Sequence, residues 1–111
     1  MQAVLEPFLV TSMSRIYNTD IRFAWSETKR LRNRREHGLD FADAATVFEG
    51  ATFTFEDDRF AYGERRFVTL GLLSGIPVSI VHTETTHEIR VISFRKATTR
   101  EAALFYACFQ E

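Results

Sequence analysis

The sequence lacks the features of disulfide-bonded, zinc-binding, membrane-spanning and secreted proteins. A single cysteine among 111 residues cannot form an internal disulfide, and no group of cysteines and histidines has the spacing of a zinc site. No apolar run approaches the roughly 20 residues that cross a bilayer. The N-terminus has no basic region, and Glu6 and Pro7 interrupt its apolar stretch, so it does not resemble a signal peptide. We therefore expect a soluble, cytoplasmic protein.

The common motifs of nucleotide and metal chemistry are also missing. The sequence contains no P-loop, no dinucleotide-binding glycine motif, no Gly-x-Ser-x-Gly elbow and no His-Glu-x-x-His zinc motif. Carboxylates are adjacent at Glu56, Asp57 and Asp58, but neighbouring acids in a polar loop are typical of a solvated segment rather than of a metal site. We expect neither a metal ion nor a cofactor.

The chain does contain enough apolar material for a core. Apolar residues make up 45% of it and include 11 phenylalanines, which excludes a wholly disordered protein. No repeat or linker divides the sequence, and its length is typical of one domain, which we place at residues 20–111. Residues 1–19 form an N-terminal extension with apolar residues at helical spacing. This extension is a short amphipathic helix, a frayed segment or a consequence of start-codon choice.

Charge is segregated along the chain although the net charge is only −1. Residues 21–38 carry a net charge of +4, residues 39–64 a net charge of −6, and residues 65–111 a net charge of +2. Twelve of the 14 basic residues are arginine, whose planar guanidinium fits phosphate or carboxylate with two hydrogen bonds. The arginine excess indicates either an anion-binding surface or the composition bias of a GC-rich genome.

Capping residues predict helices at both ends of the domain. Residues 26–38 and residues 40–50 each begin with a side chain that caps a helix and end with glycine. Thr98 and Glu101, three residues apart, form a capping box that opens a C-terminal helix. Helices therefore precede and follow whatever sheet the middle of the chain forms.

The middle of the chain predicts that sheet. Alternating apolar residues and turn signals predict strands over residues 21–25, 51–56, 64–73, 78–84 and 88–94. The short turns between the last three strands favour antiparallel neighbours. His82 shares a strand face with apolar residues, so we interpret it as a partly buried structural histidine. We expect an α+β fold with a mainly antiparallel sheet of four to five strands, packed against N-terminal helices and a C-terminal helix.

Three groups of polar residues are candidates for chemistry, and each has a structural alternative. The first is a stripe on the first helix, which could equally be a solvated face. The second shares one strand face and could form a cross-strand ion pair. The third lies on and after the last strand, where charge also discourages strand edges from aggregating. In chain order the groups are Lys29, Asn33 and His37; Glu64 and Arg66; and Arg90, Arg95, Lys96 and Arg100.

Three collinear blocks of sequence carry a resemblance to a known family. They comprise Trp25-Ser26-Glu27-Thr28-Lys29, Asn33, His37-Gly38, Phe41 and Ala44; then Glu64-Arg65-Arg66-Phe67 as far as Gly71; then Val81-His82-Thr83-Glu84, Arg90-Val91-Ile92-Ser93-Phe94-Arg95-Lys96-Ala97, Glu101 and Tyr106. Over residues 21–107 they resemble the BrnT toxins, small ribonucleases of type II toxin–antitoxin systems. Ser26 and Glu36 depart from the family pattern, which usually has Asp and a basic residue at these positions.

The resemblance implies a RelE-like fold and an endoribonuclease that inhibits translation and growth. Cleavage would proceed without a metal, through attack of the substrate's own 2′-hydroxyl on the neighbouring phosphorus. Arg66 and Arg95 would stabilise the phosphate, and Glu64 would act as a general base or orient Arg66. The resemblance further implies that RNA or its phosphates are contacted by Arg90, Lys29, His37 and Arg100. Lys29 and His37 could instead supply a proton.

The resemblance also implies a protein partner. Such toxins are neutralised by a BrnA-like antitoxin with a ribbon-helix-helix domain, in a hetero-oligomer that we expect to be a heterotetramer and that binds operator DNA only through the antitoxin. Membrane association is not expected. Two alternatives stay open: an arginine-rich module that binds RNA or protein without cutting it, and a decayed toxin.

Overall fold

A computed structural model describes residues 21–59 and 63–109 of the chain. The predicted N-terminal extension, residues 1–19, lies outside the described residues. Among the residues that are described, no helix is long and apolar enough to cross a membrane. In chain order the elements are β1 (Arg22–Ala24), α1 (Glu27–His37), a short 3-10 turn (Phe41–Asp43), α2 (Ala44–Phe48), β2 (Phe53–Asp57), β3 (Arg66–Leu73), β4 (Ile76–Glu84), β5 (Glu88–Lys96) and α3 (Thr99–Ala107).

The five strands form one mixed sheet in the order β1-β5-β4-β3-β2. The strands β2 to β5 pair antiparallel with their neighbours, whereas β1 pairs parallel with β5. The predicted α+β class and the number of strands are confirmed. The parallel pair was not foreseen, because it joins Arg22–Ala24 to residues 88–90, and nothing in the local pattern of either segment encodes that contact.

One face of the sheet, which we call the α2 face, is covered by the 3-10 turn and α2. Gly71 of β3 allows this close packing, because a Cβ atom there would lie 2.7 Å from Cγ1 of Val47. Burial of the phenyl and aliphatic side chains between α2 and the sheet is the main source of stability on the α2 face. The buried cluster consists of Phe41, Ala44, Val47, Phe48, Val78, Ile80, Ile89, Val91 and Phe94.

The opposite face, which we call the α3 face, is covered only in part. Phe105 of α3 packs on Phe53, Val68 and Leu70, and the ring of Phe109 lies 4.9 Å from that of Phe105. This cluster is the smaller of the two, because α3 is a single nine-residue helix that crosses part of a five-stranded sheet. The part of the α3 face beyond the helix stays open, and it holds most of the candidate residues.

The helix α1 lies along the edge of the sheet beside β5. Asn33 is buried, and its amide accepts a hydrogen bond from the backbone N–H of Phe94 (3.1 Å) and donates one to the carbonyl of Phe94 (2.7 Å). The same amide nitrogen donates to the carbonyl of Leu39 (3.0 Å). Because the short β1 pairs only with residues 88–90, Asn33 satisfies the backbone of Phe94 farther along the same edge of β5, the edge away from β4.

The strand β5 contains a bulge, which changes the direction of its side chains. His82 is opposite Val91, but the preceding Val81 is opposite Ser93, so Ile92 is one extra residue in β5. Successive residues of a regular strand point to opposite faces, and one inserted residue reverses that alternation. A side chain of β5 before Ile92 and one after it therefore lie on the same face when their residue numbers differ by an odd number.

Candidate nucleic-acid interface

The sheet register lines up three charged side chains and one threonine in a row on the open α3 face. Asp57 of β2 is opposite Arg66 of β3, and Thr83 of β4 is opposite Arg90 of β5. The register of β3 with β4 then places Arg66 beside Thr83. We call Asp57, Arg66, Thr83 and Arg90 the charged row. Residues distant in sequence thus become neighbours because each occupies the same level of the sheet.

Glu64, just before β3, joins the two arginines of this row. Its carboxylate accepts two hydrogen bonds from Nη2 of Arg90, at 3.0 and 3.2 Å, and lies 3.6 Å from Nη2 of Arg66. The side chains of Arg90 and Glu64 are close to half exposed, so an incoming anion can reach them. The ion pair predicted as the structural alternative is therefore present, but Glu64 lies nearer to Arg90 than to Arg66.

Arg95 belongs to a second cluster, which the sequence did not predict. Its guanidinium donates to both carboxylate oxygens of Glu101, at 2.8 and 2.9 Å, and one of these oxygens also accepts from the N–H of Thr98 (2.9 Å). Burial raises the pKa of Glu101, but hydrogen bonds from Arg95 and from Thr98 outweigh burial and leave it below its ordinary value. The capping box of α3 therefore also holds Arg95.

The bulge in β5 is what brings Arg90 and Arg95 to the same face. They are five residues apart and would lie on opposite faces of a regular strand. Here Arg90 is opposite Thr83 and Arg95 is opposite Ser79, and these two residues of β4 share the α3 face. The two clusters consequently lie on one surface.

A groove of about 280 Å³ lies between the Arg95–Glu101 pair and the Asp57 end of the charged row, and Glu56 and Asp58 also line it. Its floor is formed by a second row of the sheet, in which Val68 is opposite both Phe55 and Val81. We call Phe55, Val68 and Val81 the apolar row. The walls of the groove carry two ion pairs, one between Arg59 and Asp57 at 2.8 Å and the other between Arg95 and Glu101.

The remaining predicted residues lie outside these clusters. Lys29 and His37 are exposed on α1, four residues before and after the buried Asn33, and Arg100 is exposed in the first turn of α3. Within the described residues, none of the three makes a side-chain hydrogen bond or ion pair. The stripe of Lys29, Asn33 and His37 is thus not one solvated face, since its central member is buried against β5.

His82 lies in the core, as expected of a structural histidine, but it is fully buried rather than partly buried. It is fully buried on the α2 face, where Nε2 lies 2.8 Å from Oγ1 of Thr69 and the ring stacks on Phe67. The Thr69 hydroxyl is also 2.7 Å from that of Thr54, so the three polar groups form a chain inside the core. This histidine lies on the opposite side of the sheet from the two arginine clusters.

A comparison with families of known proteins finds a match for most of the described chain. A family model described as the ribonuclease toxin BrnT of type II toxin–antitoxin systems matches residues 25–101, from the residue after β1 to Glu101 in α3. That span includes both arginine clusters and the groove. No curated protein matches the chain.

Proposed function

Because the chain belongs to the BrnT family of type II toxin–antitoxin ribonuclease toxins, we propose that it cleaves RNA at the open α3 face. The observation that carries this proposal is the carboxylate of Glu64 lying between the guanidinium groups of Arg66 and Arg90. We further propose that the fold is RelE-like, that the protein acts in the cytoplasm and that its activity inhibits translation and growth.

The proposed reaction uses the substrate's own 2′-hydroxyl as the nucleophile. The hydroxyl oxygen attacks the adjacent phosphorus, the bond to the 5′-oxygen of the next nucleotide breaks, and a 2′,3′-cyclic phosphate forms. The protein must remove one proton, donate another and stabilise the charge on the phosphoryl oxygens. Guanidinium groups supply fixed donors for that charge, so no metal ion is required in this scheme.

Arg66 and Arg95 are the proposed phosphate-stabilising pair, with Arg90 assisting. Glu64 would orient Arg66 and Arg90 and could also accept the proton of the 2′-hydroxyl; its contacts with both arginines support the orienting role. A guanidinium carries five N–H donors, of which Arg95 uses three for Glu101 and the carbonyl of Lys96, so it can donate to phosphate without releasing Glu101. Lys29, His37 and Arg100, exposed on the two helices, would hold the RNA backbone farther from the scissile bond.

The proposal is tested by RNA cleavage with purified protein in the presence of EDTA. We expect Arg66→Ala and Arg95→Ala each to lower kcat/KM by about 100-fold, because each removes a donor to the developing charge, and to abolish growth inhibition. Arg32→Ala is the matched control, since it removes an exposed arginine of α1 that contacts neither cluster. Circular dichroism must show that each variant is folded.

The outcomes separate the proposed enzyme from its alternatives. Cleavage that EDTA abolishes would contradict the metal-independent mechanism, and full activity in both arginine variants would contradict the site. Binding of RNA without cleavage would identify an arginine-rich binding module. Activity that appears only in the double variant Ser26→Asp and Glu36→Lys would identify a decayed toxin.

We also propose a ribbon-helix-helix antitoxin of the BrnA type as the partner, in a heterotetramer that contacts operator DNA only through the antitoxin. Membership of a type II toxin–antitoxin family supports an antitoxin as such. The partly exposed arginines of the α3 face favour acidic antitoxin segments, because opposite charges speed association and exclude partners of like charge. Covering this face would inhibit cleavage directly.

A further inference from the structure

The apolar floor of the groove is the feature of the α3 face that the proposed reaction does not use. Phosphate chemistry needs the charged row and Arg95, whereas Phe55, Val68 and Val81 offer no hydrogen-bonding side chain. We propose that the groove binds one unpaired nucleobase of the RNA substrate, next to the phosphate held by the charged row. The inference deepens the proposed function and rests on it, because it takes RNA to be the ligand of this face.

The shape and lining of the groove fit a single base. Its volume of about 280 Å³ lies at the lower end of the range for ligand pockets, which begins at about 300 Å³. The apolar row provides a partly aromatic floor, and every base has an apolar face that can lie on such a surface. The Arg–carboxylate pairs in the walls provide both donors and acceptors for the polar edge of a base.

The spacing of the two rows fits a base and its own phosphate. Arg66 and Val68 are two residues apart on β3, so the charged row and the apolar row are separated by about 7 Å along the strands. A base and the backbone phosphate of the same nucleotide are separated by a similar distance. One nucleotide can therefore contact both rows at once, with its phosphate beside Arg66 and its base over Val68.

The position of the groove selects a single strand over a duplex. The floor lies between the wall formed by Arg95 and Glu101, at the start of α3, and the wall formed by Asp57 and Arg59, after β2. A base must leave its stack to reach a floor recessed between two walls, and this costs little in an unpaired strand. The rigid duplex cannot insert one base without unpairing it.

The test compares two fluorescent probes of equal length: a short single strand of 2′-O-methyl RNA, and a deoxyribose-phosphate strand that carries no bases. The first cannot be cleaved, since its 2′-hydroxyl is blocked. We expect the protein to bind the strand with bases roughly 5- to 20-fold more tightly. Val81→Trp, which fills the groove, should abolish this preference. Val81→Thr, which keeps the shape but makes the floor polar, should reduce it.

Ile76→Trp and Ile76→Thr are the matched controls, because Ile76 lies at the exposed start of β4, away from the groove. Both should keep the full preference for the strand with bases. Equal binding of the two probes by the unmodified protein would overturn the proposal, and so would an unchanged preference in both Val81 variants. If the Val81 variants instead lose antitoxin binding and keep the preference for bases, the groove is a protein-docking site and the proposal is wrong.

The same experiment distinguishes this inference from the proposed function. Cleavage of ordinary RNA combined with equal binding of both probes would leave the enzyme intact and remove the base site. A preference for bases that Val81→Trp abolishes, combined with no cleavage of RNA, would support the base site and remove the catalytic proposal. Both measurements use the full chain.

Discussion

At the scale of single residues, Asn33 shows how one side chain can replace a strand. A sheet edge leaves backbone N–H and C=O groups without partners, and the short β1 covers only the first part of β5. The primary amide of Asn33 carries one acceptor and two donor hydrogens, which match the buried N–H and C=O of Phe94 and the carbonyl of Leu39. The helix α1 is thereby fixed to the sheet through backbone groups.

We predict that Asn33→Ala lowers the free energy of unfolding by roughly 2–4 kcal/mol, because three hydrogen bonds disappear and buried backbone groups lose their partner. Urea denaturation measures the change, with the m-value checked for two-state behaviour. Glu36→Ala, an exposed change on the same helix, is the control and should alter stability by less than about 0.5 kcal/mol. A small effect of Asn33→Ala would show that solvent or side-chain movement satisfies Phe94 equally well.

The sequence could indicate only part of what happens at such residues. The four-residue spacing correctly placed Lys29, Asn33 and His37 on one stripe of α1. It could not separate Asn33 from the other two, because its partner Phe94 lies 61 residues away. In the same way, the predicted pairing of Glu64 with an arginine is present, but Arg90 on a distant strand is the nearer one.

At the scale of elements, the N-terminal end of α3 combines two tasks. The capping box predicted from Thr98 and Glu101 is present in both directions, with N–H groups bonded at 2.9 and 3.1 Å. The same carboxylate binds Arg95, so the start of the helix and the proposed phosphate ligand depend on one charge. Local sequence predicted the cap, whereas the ion pair required knowledge of where β5 ends relative to α3.

We predict that Glu101 makes stability depend on pH. Its pKa in the folded protein lies below the ordinary value of 4.5, so its contribution is fully present above pH 4.5 and is lost as the pH falls through the lowered pKa. Glu101→Gln can still cap the helix but loses the ion pair, and it should cost about 1 kcal/mol at pH 7, because both partners are partly exposed. The difference from the unmodified protein should shrink in acid.

Thermal unfolding of the two proteins between pH 3 and pH 7 would measure this difference. Glu56→Gln provides a comparison, because its carboxylate pairs with Arg65, and hydrogen bonds from Arg65 hold its pKa below the ordinary value without any role in a helix cap. Identical pH profiles for the unmodified protein and Glu101→Gln would show that the ion pair with Arg95 contributes nothing to stability.

At the scale of the whole molecule, folding brings together charges that the sequence keeps apart. The acidic segment, residues 39–64, supplies carboxylates to arginines within and on both sides of it along the chain. Net charge along the sequence therefore overstated how much positive charge stays available for RNA. The pairs, with their closest distances, are Asp40 with Arg30 (2.9 Å), Glu56 with Arg65 (2.9 Å), Asp57 with Arg59 (2.8 Å) and Glu64 with Arg90 (3.0 Å).

We predict that co-expression with the proposed antitoxin yields a stable complex containing two copies of each chain, measured by light scattering after gel filtration. The double variant Arg66→Ala and Arg90→Ala should associate with the antitoxin more slowly than the unmodified protein does, because charges on the α3 face steer the encounter. Added salt should slow the association of this variant less than that of the unmodified protein, since salt screens those charges. Arg32→Ala should associate at the unmodified rate. Recovery of only free toxin would contradict the proposed partner.

The bulge at Ile92 also sets a rule for comparing related chains. Loss or gain of one residue in this part of β5 would preserve the identity of both Arg90 and Arg95 while moving one of them through the sheet to the α2 face. A point substitution elsewhere in β5 would keep Arg90 and Arg95 on the α3 face. An insertion or deletion of one residue between them would place them on opposite faces of the sheet. Among relatives, the number of residues between these two arginines is therefore a better guide to a working surface than the residues themselves.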